Sequence, residues 1–280
     1  MAEMKGLESL LNIQTGITME LTSEVCDNHP LRGDKPIHLM VIDGEKVCPV
    51  CEGEKRTEEL AKKQENLLKV ADRKTSYNVF QKKSVLTDIG LLETSFKNYE
   101  AVESEEIANK DKAVEVFRRY KGGEVFNTWF VGKPGVGKSH LSMSILRNLN
   151  EWGNQDQSCL FVSVDEMLLR IRNSFNDKES KYTEFYFVDL LSQVDYLVLD
   201  DLGAETGGTG TAKRATDFTM RVLYAIANGR QNKPSIITSN LSLVDLESMY
   251  DAKLVSRLMR DTCLIRFQNT VDKRIRNINF

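Results

Sequence analysis

Short apolar runs and amphipathic stretches alternate through the second half of the chain. Val125–Val131, Leu160–Val164, Tyr196–Leu199, Ser235–Thr238 and Cys263–Phe267 are β-rich runs bounded by polar residues and read as strands. Between them, His140–Trp152, Asp165–Phe175, Asp217–Asn228 and Leu243–Tyr250 carry apolar residues at helical spacing, and Ser242 followed by Asp245 forms a helix-start capping box. Strands too apolar to face water, each followed by a helix, predict an α/β fold: a parallel sheet covered by helices on both faces. Upstream the pattern changes. Residues 54–83 have helix-forming composition but only a narrow stripe of Leu60, Leu67, Leu68 and Ala71. Such a helix is either a solvated spacer or a surface for a partner or a second copy. Residues 22–53 hold too few large apolar side chains for an independent core. The chain therefore divides into a small module at 1–53, a helical connector at 54–83 and an α/β body at 84–280.

Composition narrows the function classes. Of 280 residues, 41% are hydrophobic and 28% charged, which fits a soluble globular protein, and the absence of an 18-residue apolar run argues against a membrane span. The opening MAEMKGLESLL has neither a basic cap before an apolar run nor an Arg-rich, acid-free stretch, so the expected compartment is the cytoplasm. A net charge of -3 supplies no bulk basic field, so any nucleic-acid contact needs a local patch. Two stretches qualify: Lys253 to Phe280, where basic residues outnumber acidic ones, and Lys213-Arg214 after the Gly207–Gly210 loop. Each is either a single-strand groove or a solvated face. Trp129 and Trp152 read as packing residues, as do Cys159 and Cys263.

The strongest motif is Gly132-Lys133-Pro134-Gly135-Val136-Gly137-Lys138-Ser139, followed by His140, which satisfies G-x-x-x-x-G-K-[ST] between a strand and a helix. Its glycines let the backbone turn its N–H groups inward, and the helix behind adds its positive dipole end, so the loop is a cradle for polyphosphate. Lys138 is expected to reach the β and γ phosphates of ATP and Ser139 to ligate Mg²⁺. A second strand ends in Asp200-Asp201, where ligands gather in open α/β sheets. Asp200 is assigned to the Mg²⁺ shell and Asp201 to the attacking water; the plainer alternative is a strand cap before Gly203. The third strand ends in Ser239-Asn240, and Asn240 is either a γ-phosphate sensor or a loop residue satisfying its own backbone. Arg257, within Leu254 to Arg260, is either a surface charge or a finger inserted into a neighbouring subunit's site.

Cys26-x-x-His29 and Cys48-x-x-Cys51 supply two chelating pairs joined by a loop with Gly33 and Gly44, the arrangement of a closed tetrahedral Zn²⁺ site. Four protein ligands leave no open position, so the expected role is structural. His38 has the wrong spacing to either pair.

These motifs, in this order, resemble those of the AAA+ ATPases, and Leu199 to Glu205 (LDDLGAE) with Ser95-Phe96-Lys97-Asn98-Tyr99 resembles the DnaC/DnaI helicase-loader branch. The resemblance covers about Ser84 to Phe280 and implies an AAA+ core that binds ATP, a DnaB-type hexameric replicative helicase and single-stranded DNA, and that self-associates. It implies Arg274 as a candidate second sensor arginine, and DnaI-type loaders are similar in carrying an N-terminal zinc-binding domain that contacts the helicase. Asp201 stands where most AAA+ proteins have Glu, which implies slow hydrolysis. Two alternatives stay open: an IstB-like transposase helper, which the cysteine pairs argue against, and an ATP-binding adaptor with negligible hydrolysis.

Overall fold

The structure, a computed structural model, describes residues 19–153, 156–206 and 214–276. The chain forms two compact units that divide between Ala71 and Asp72, inside one long helix.

In the first unit, β1 (Met19–Val25), β4 (His38–Ile42) and β5 (Glu45–Val47) form an antiparallel sheet in the order β1-β4-β5, with β2 (Leu31–Arg32) and β3 (Lys35–Pro36) paired separately. Asp43 and Gly44 join β4 to β5 with positive φ at both positions, the turn whose twist matches paired antiparallel strands. Helix α1 (Pro49–Lys83) follows. Proline at its first position loses no helical hydrogen bond, and Glu58–Lys62 and Glu65–Lys69 pair along the exposed face. The helix starts within the cysteine-containing stretch and takes in Cys51, so module and connector are continuous. Leu60, Leu67 and Leu68 are exposed along it.

The second unit holds the last turns of α1, where Phe80 is buried, and a five-stranded parallel sheet. Its strands are β6 (Asn127–Gly132), β7 (Cys159–Ser163), β8 (Tyr196–Leu202), β9 (Ser235–Ser239) and β10 (Thr262–Phe267), in the order β10-β6-β9-β8-β7. Successive residues point to opposite faces, and both faces are covered. Trp129, Leu160, Leu197, Leu199 and Ile237 pack in one layer with α4 (Val164–Ser174), α5 (Glu184–Gln193), α6 (Asp217–Gly229), α7 (Leu243–Met249) and α8 (Ala252–Leu258). Phe130, Phe161, Val198, Ile236 and Ile265 pack on the other side with α2 (Ser104–Lys121) and α3 (Lys138–Trp152). All five expected strands form. Helices α2 and α5 have no counterpart in the sequence reading. The Ser242–Asp245 capping box starts α7. Cys159 is buried and Cys263 half-buried, whereas Trp152 corrects its expected packing role: it ends α3 with 69% of its surface exposed.

Arg230, just past α6, ties the sheet to its helices. It is 4% exposed, and among the described residues no carboxylate forms an ion pair with it. Instead Nε donates to Ser235 Oγ (2.9 Å), Nη1 to the Leu191 and Val194 carbonyls (2.6 and 2.7 Å), and Nη2 to those of Asp195 and Pro234 (3.1 and 2.5 Å). Burial pulls its pKa down to about 9, yet the charge is retained because every guanidinium donor has an acceptor. Arg230→Leu leaves several buried carbonyls without donors and is expected to lower stability by about 3 kcal/mol or more in urea unfolding; a loss under about 1 kcal/mol would contradict this account of the residue.

Candidate functional site

The loop from Gly132 to Ser139 leaves the carboxyl end of β6 and enters α3. Gly137 closes it at φ 96°, and a Cβ there would lie 2.7 Å from the Tyr99 ring, so a side chain is excluded by conformation and by space. Tyr99 in turn donates its hydroxyl to the Val136 carbonyl at 3.4 Å.

Lys138 is 5% exposed and directs its three N–H donors to the Gly132 carbonyl (2.8 Å), the Lys133 carbonyl (2.8 Å) and Asn240 Oδ1 (2.7 Å). The Asn240 amide donates onward to Asp201 Oδ1 at 2.8 Å. Thr238 completes the network: its hydroxyl donates to Asp200 Oδ1 (2.7 Å) and accepts the Asp201 N–H (2.8 Å). Ser139 also hydrogen-bonds to Asp200. Burial lowers the Lys138 pKa to about 8 against the pull of Asp201 and Asp200. Burial likewise raises Asp200 to about 6, opposed by the hydrogen bonds from Thr238 and Ser139. Each partner thus limits the cost of burying the other's charge.

A β-bulge aims the second aspartate. β8 advances three residues between the pairs Leu199–Ile237 and Leu202–Ser239 while β9 advances two, and the extra residue puts Asp201 in the left-handed region at φ 60°. Non-glycine residues are held there at a cost, and such strain gathers at functional sites.

The loop, Lys138, Ser139, His140, Asp201, Asn240 and Arg274 border one cavity of about 490 Å³, within the range of small-molecule sites. Its far wall is formed by Asp88, Leu91, Thr94 and Tyr99. Gly132, Lys133 and Val136 complete the loop, with Val136 fully buried, and Asp200 lies behind Asp201 at 6% exposure. His140 does not face the loop interior; its Nε2 bonds to the Ser95 carbonyl at 2.9 Å and its ring meets Tyr99 edge-on. Arg274, in α9 (Lys273–Arg276), is exposed. The segment before it is anchored by Glu105, whose carboxylate accepts the backbone N–H groups of Gln268 (2.9 Å), Asn269 (3.0 Å) and Thr270 (2.7 Å). The Lys273 N–H then donates to the Gly135 carbonyl at 3.0 Å, and the Asp272 carboxylate lies against Gly135. Sequence reasoning missed Thr238, Tyr99 and Glu105, whose roles arise from pairing between distant elements. Arg257 is not in the cavity.

In the first unit, one ligand atom from each of Cys26, His29, Cys48 and Cys51 lies within 4.8 Å of the others. Cys26 Sγ is 3.6 Å from Cys51 Sγ, and His29 Nδ1 is 3.9 Å from Cys26 Sγ and 3.2 Å from Cys51 Sγ. Ligands on a tetrahedral ion with bonds of about 2.3 Å stand roughly 3.8 Å apart, so the cluster fits a metal ion. His29 Nε2 pairs with Glu54 at 3.1 Å, which turns Nδ1 toward the sulfurs. Sequence spacing singled out these four residues but not Glu54. His38 is not among them.

Of the basic stretches, Arg214 is exposed, whereas Lys213, the Gly207–Gly210 loop and residues 277–280 lie outside the described residues. Among the described residues no helix is long and apolar enough to cross a membrane.

No protein-family model matches the chain. The replicative helicase loader DnaC of Escherichia coli (strain K12) is 25% identical over 166 residues, 59% of this chain and 62% of that protein. The uncharacterized protein YdaV of the same strain is 24% identical over 251 residues, 88% of this chain and 89% of YdaV. The crystal structure of DnaI superposes with a TM-score of 0.52 at 23% identity, covering 66% of this chain and 96% of DnaI. The chain is thus similar in sequence to the replicative helicase loader DnaC and shares the α/β fold of DnaI. It spans 45% and 62% of the lengths of the first two curated relatives it matches. The five-stranded order β10-β6-β9-β8-β7 places the phosphate loop at the end of β6, next to the central strand β9, with β8 on the far side of β9.

Proposed function

We propose that this protein is an ATP-dependent AAA+ loader that binds a DnaB-type hexameric replicative helicase and single-stranded DNA. The observation that carries the ATP-dependent part is the hydrogen-bonded set Lys138–Asn240–Asp201, with Asp200 and Ser139 beside it, at the carboxyl ends of three adjacent strands. The helicase-directed part rests on the likeness to DnaC, named as a replicative helicase loader.

In this reading the loop N–H groups hold the α and β phosphates of ATP, and Lys138 leaves its loop carbonyls for the β and γ phosphates. Ser139 and Asp200 hold Mg²⁺, which when bound neutralises charge on the transferring phosphoryl group. Asp201 orients and deprotonates the attacking water, and Asn240, tied to both Lys138 and Asp201, senses whether the γ phosphate is present. Arg274 reaches the same cavity from α9. Arg257 serves the site of a neighbouring copy, so the active form is self-associated. Cys26, His29, Cys48 and Cys51 hold Zn²⁺ as a structural ion in the helicase-contacting module.

One observation favours a second reading, an ATP-binding adaptor with negligible hydrolysis: Asp201 is shorter than glutamate, and its Oδ1 is already occupied by Asn240. ATP turnover measured with and without single-stranded DNA separates the two. A loader turns over slowly and responds to DNA; no turnover in either condition selects the adaptor. Arg257→Ala is expected to bind ATP as the parent does while losing tenfold or more of its oligomer-dependent turnover. Unchanged turnover removes the finger assignment.

A further inference from the structure

Arg257 stands at the amino-terminal end of the sheet, whereas the phosphate loop follows the carboxyl end. A six-residue strand such as β6 is about 16 Å long from end to end, so Arg257 and its own chain's nucleotide cavity are separated by at least the sheet. It opens instead on a cleft of about 160 Å³ lined by Arg230, Lys233 and Arg260 as well, with Asp261 as the single acidic lining residue. The guanidinium is held on two sides by α6. Its Nε donates to Asn228 Oδ1 at 2.7 Å, and its plane lies over the Tyr224 ring, 4.5 Å from the centroid. Tyr224 and Asn228 are one helical turn apart and share a face of α6. Nη1 adds a bond to the Lys253 carbonyl at 3.2 Å, and among the described residues Nη2 bonds to no protein atom. The side chain is thus clamped at Nε and on its π face while its Nη2 edge stays available.

We infer that Asn228 and Tyr224 are positioning residues that aim the Nη2 edge of Arg257 at the polyphosphate of a nucleotide held by a second copy of this chain. The inference rests on the proposed reading of Arg257. An exposed arginine samples many rotamers; a carboxamide accepting from Nε and an aromatic face beneath the plane select one of them before the copies meet. Misplacing a catalytic group by about 1 Å costs on the order of a hundredfold in rate, so loss of the clamp shows in turnover while the cavity of the same chain is untouched.

The test uses mixed full-length chains. Arg257→Ala copies retain their own nucleotide site but lack the finger, and Lys138→Ala copies lack nucleotide but present the finger. Their mixture is expected to restore ATP turnover above the sum of the two alone. Lys138→Ala copies that also carry Asn228→Leu are expected to restore at least tenfold less, whereas those carrying Asn228→Asp, which keeps an acceptor for Nε, restore to within about threefold. In otherwise unmodified chains, Asn228→Leu should lower kcat tenfold with KM for ATP within about twofold once turnover is normalised to the concentration of folded, ATP-binding chain, which separates misaiming from loss of folded protein. Should Asn228→Leu misfold by its melting curve, Tyr224→Phe against Tyr224→Leu decides instead, with only the second losing restoration. If Lys138→Ala copies restore nothing, the reading of Arg257 as a finger in trans is wrong. If they restore turnover, and Asn228→Leu copies restore it equally, the finger stands and the positioning inference is overturned.

Discussion

Lys138→Ala is expected to weaken ATP binding by at least a hundredfold. The ammonium is the cation most deeply set in the cavity, 5% exposed, and each of its three donors is aimed at an acceptor on the rim of the phosphate cradle. In the bound state two or more of those donors pass to phosphate oxygens, and charge-assisted hydrogen bonds contribute about 1.5–3 kcal/mol each, so a hundredfold loss, about 2.7 kcal/mol, is a lower bound. The substitution also removes the positive partner that Asp200 and Asp201 share, which strengthens the proton affinity of Asp200 and works against Mg²⁺ as well. Calorimetric titration with ATP and Mg²⁺ checks the expectation. Binding within about threefold of the parent would mean that the loop from Gly132 to Ser139 is not the nucleotide cradle.

Stripping metal from the intact chain carries the largest energy. The first unit holds a three-stranded sheet of short strands whose residues are half-buried at best, and among the described residues its buried ones are Cys26 and Cys48 beside the strands. With so little apolar burial, a metal ion held by the Cys/His cluster, worth about 10 kcal/mol or more, would decide whether the sheet exists. Treatment with a strong chelator is therefore expected to abolish hydrogen-exchange protection at β4 and β5 while leaving β6 to β10 protected, and Cys26→Ser should reproduce it. Protein that purifies without zinc, or protection at Val41 and Lys46 that survives chelation, would contradict the structural-ion assignment.

The chemistry that was legible in the sequence is chemistry whose geometry is local. The phosphate loop needs a strand, a glycine-rich turn and a helix start, all within Asn127 to Trp152, and the two chelating pairs each lie on one short turn. The alternating runs predicted the parallel sheet for the same reason, since Trp129 and Phe130 must each find cover on opposite faces. What sequence could not carry depends on pairing at long range. The bulge that swings Asp201 toward Asn240 is a register difference between β8 and β9. Thr238 matters only because β9 lies beside β8, and Glu105 only because α2 begins where β10 ends. Trp152 reads as a packing residue by type, but its position at the end of α3 leaves it exposed.

Association with the helicase tests the central claim most directly. Mixed with a hexameric DnaB-type helicase and followed by sedimentation, the full chain is expected to co-sediment, with an affinity that shifts at least tenfold between ATP and no nucleotide. The shift should vanish in Lys138→Ala. A chain that binds ATP yet sediments apart from the hexamer in both conditions would contradict the loader assignment.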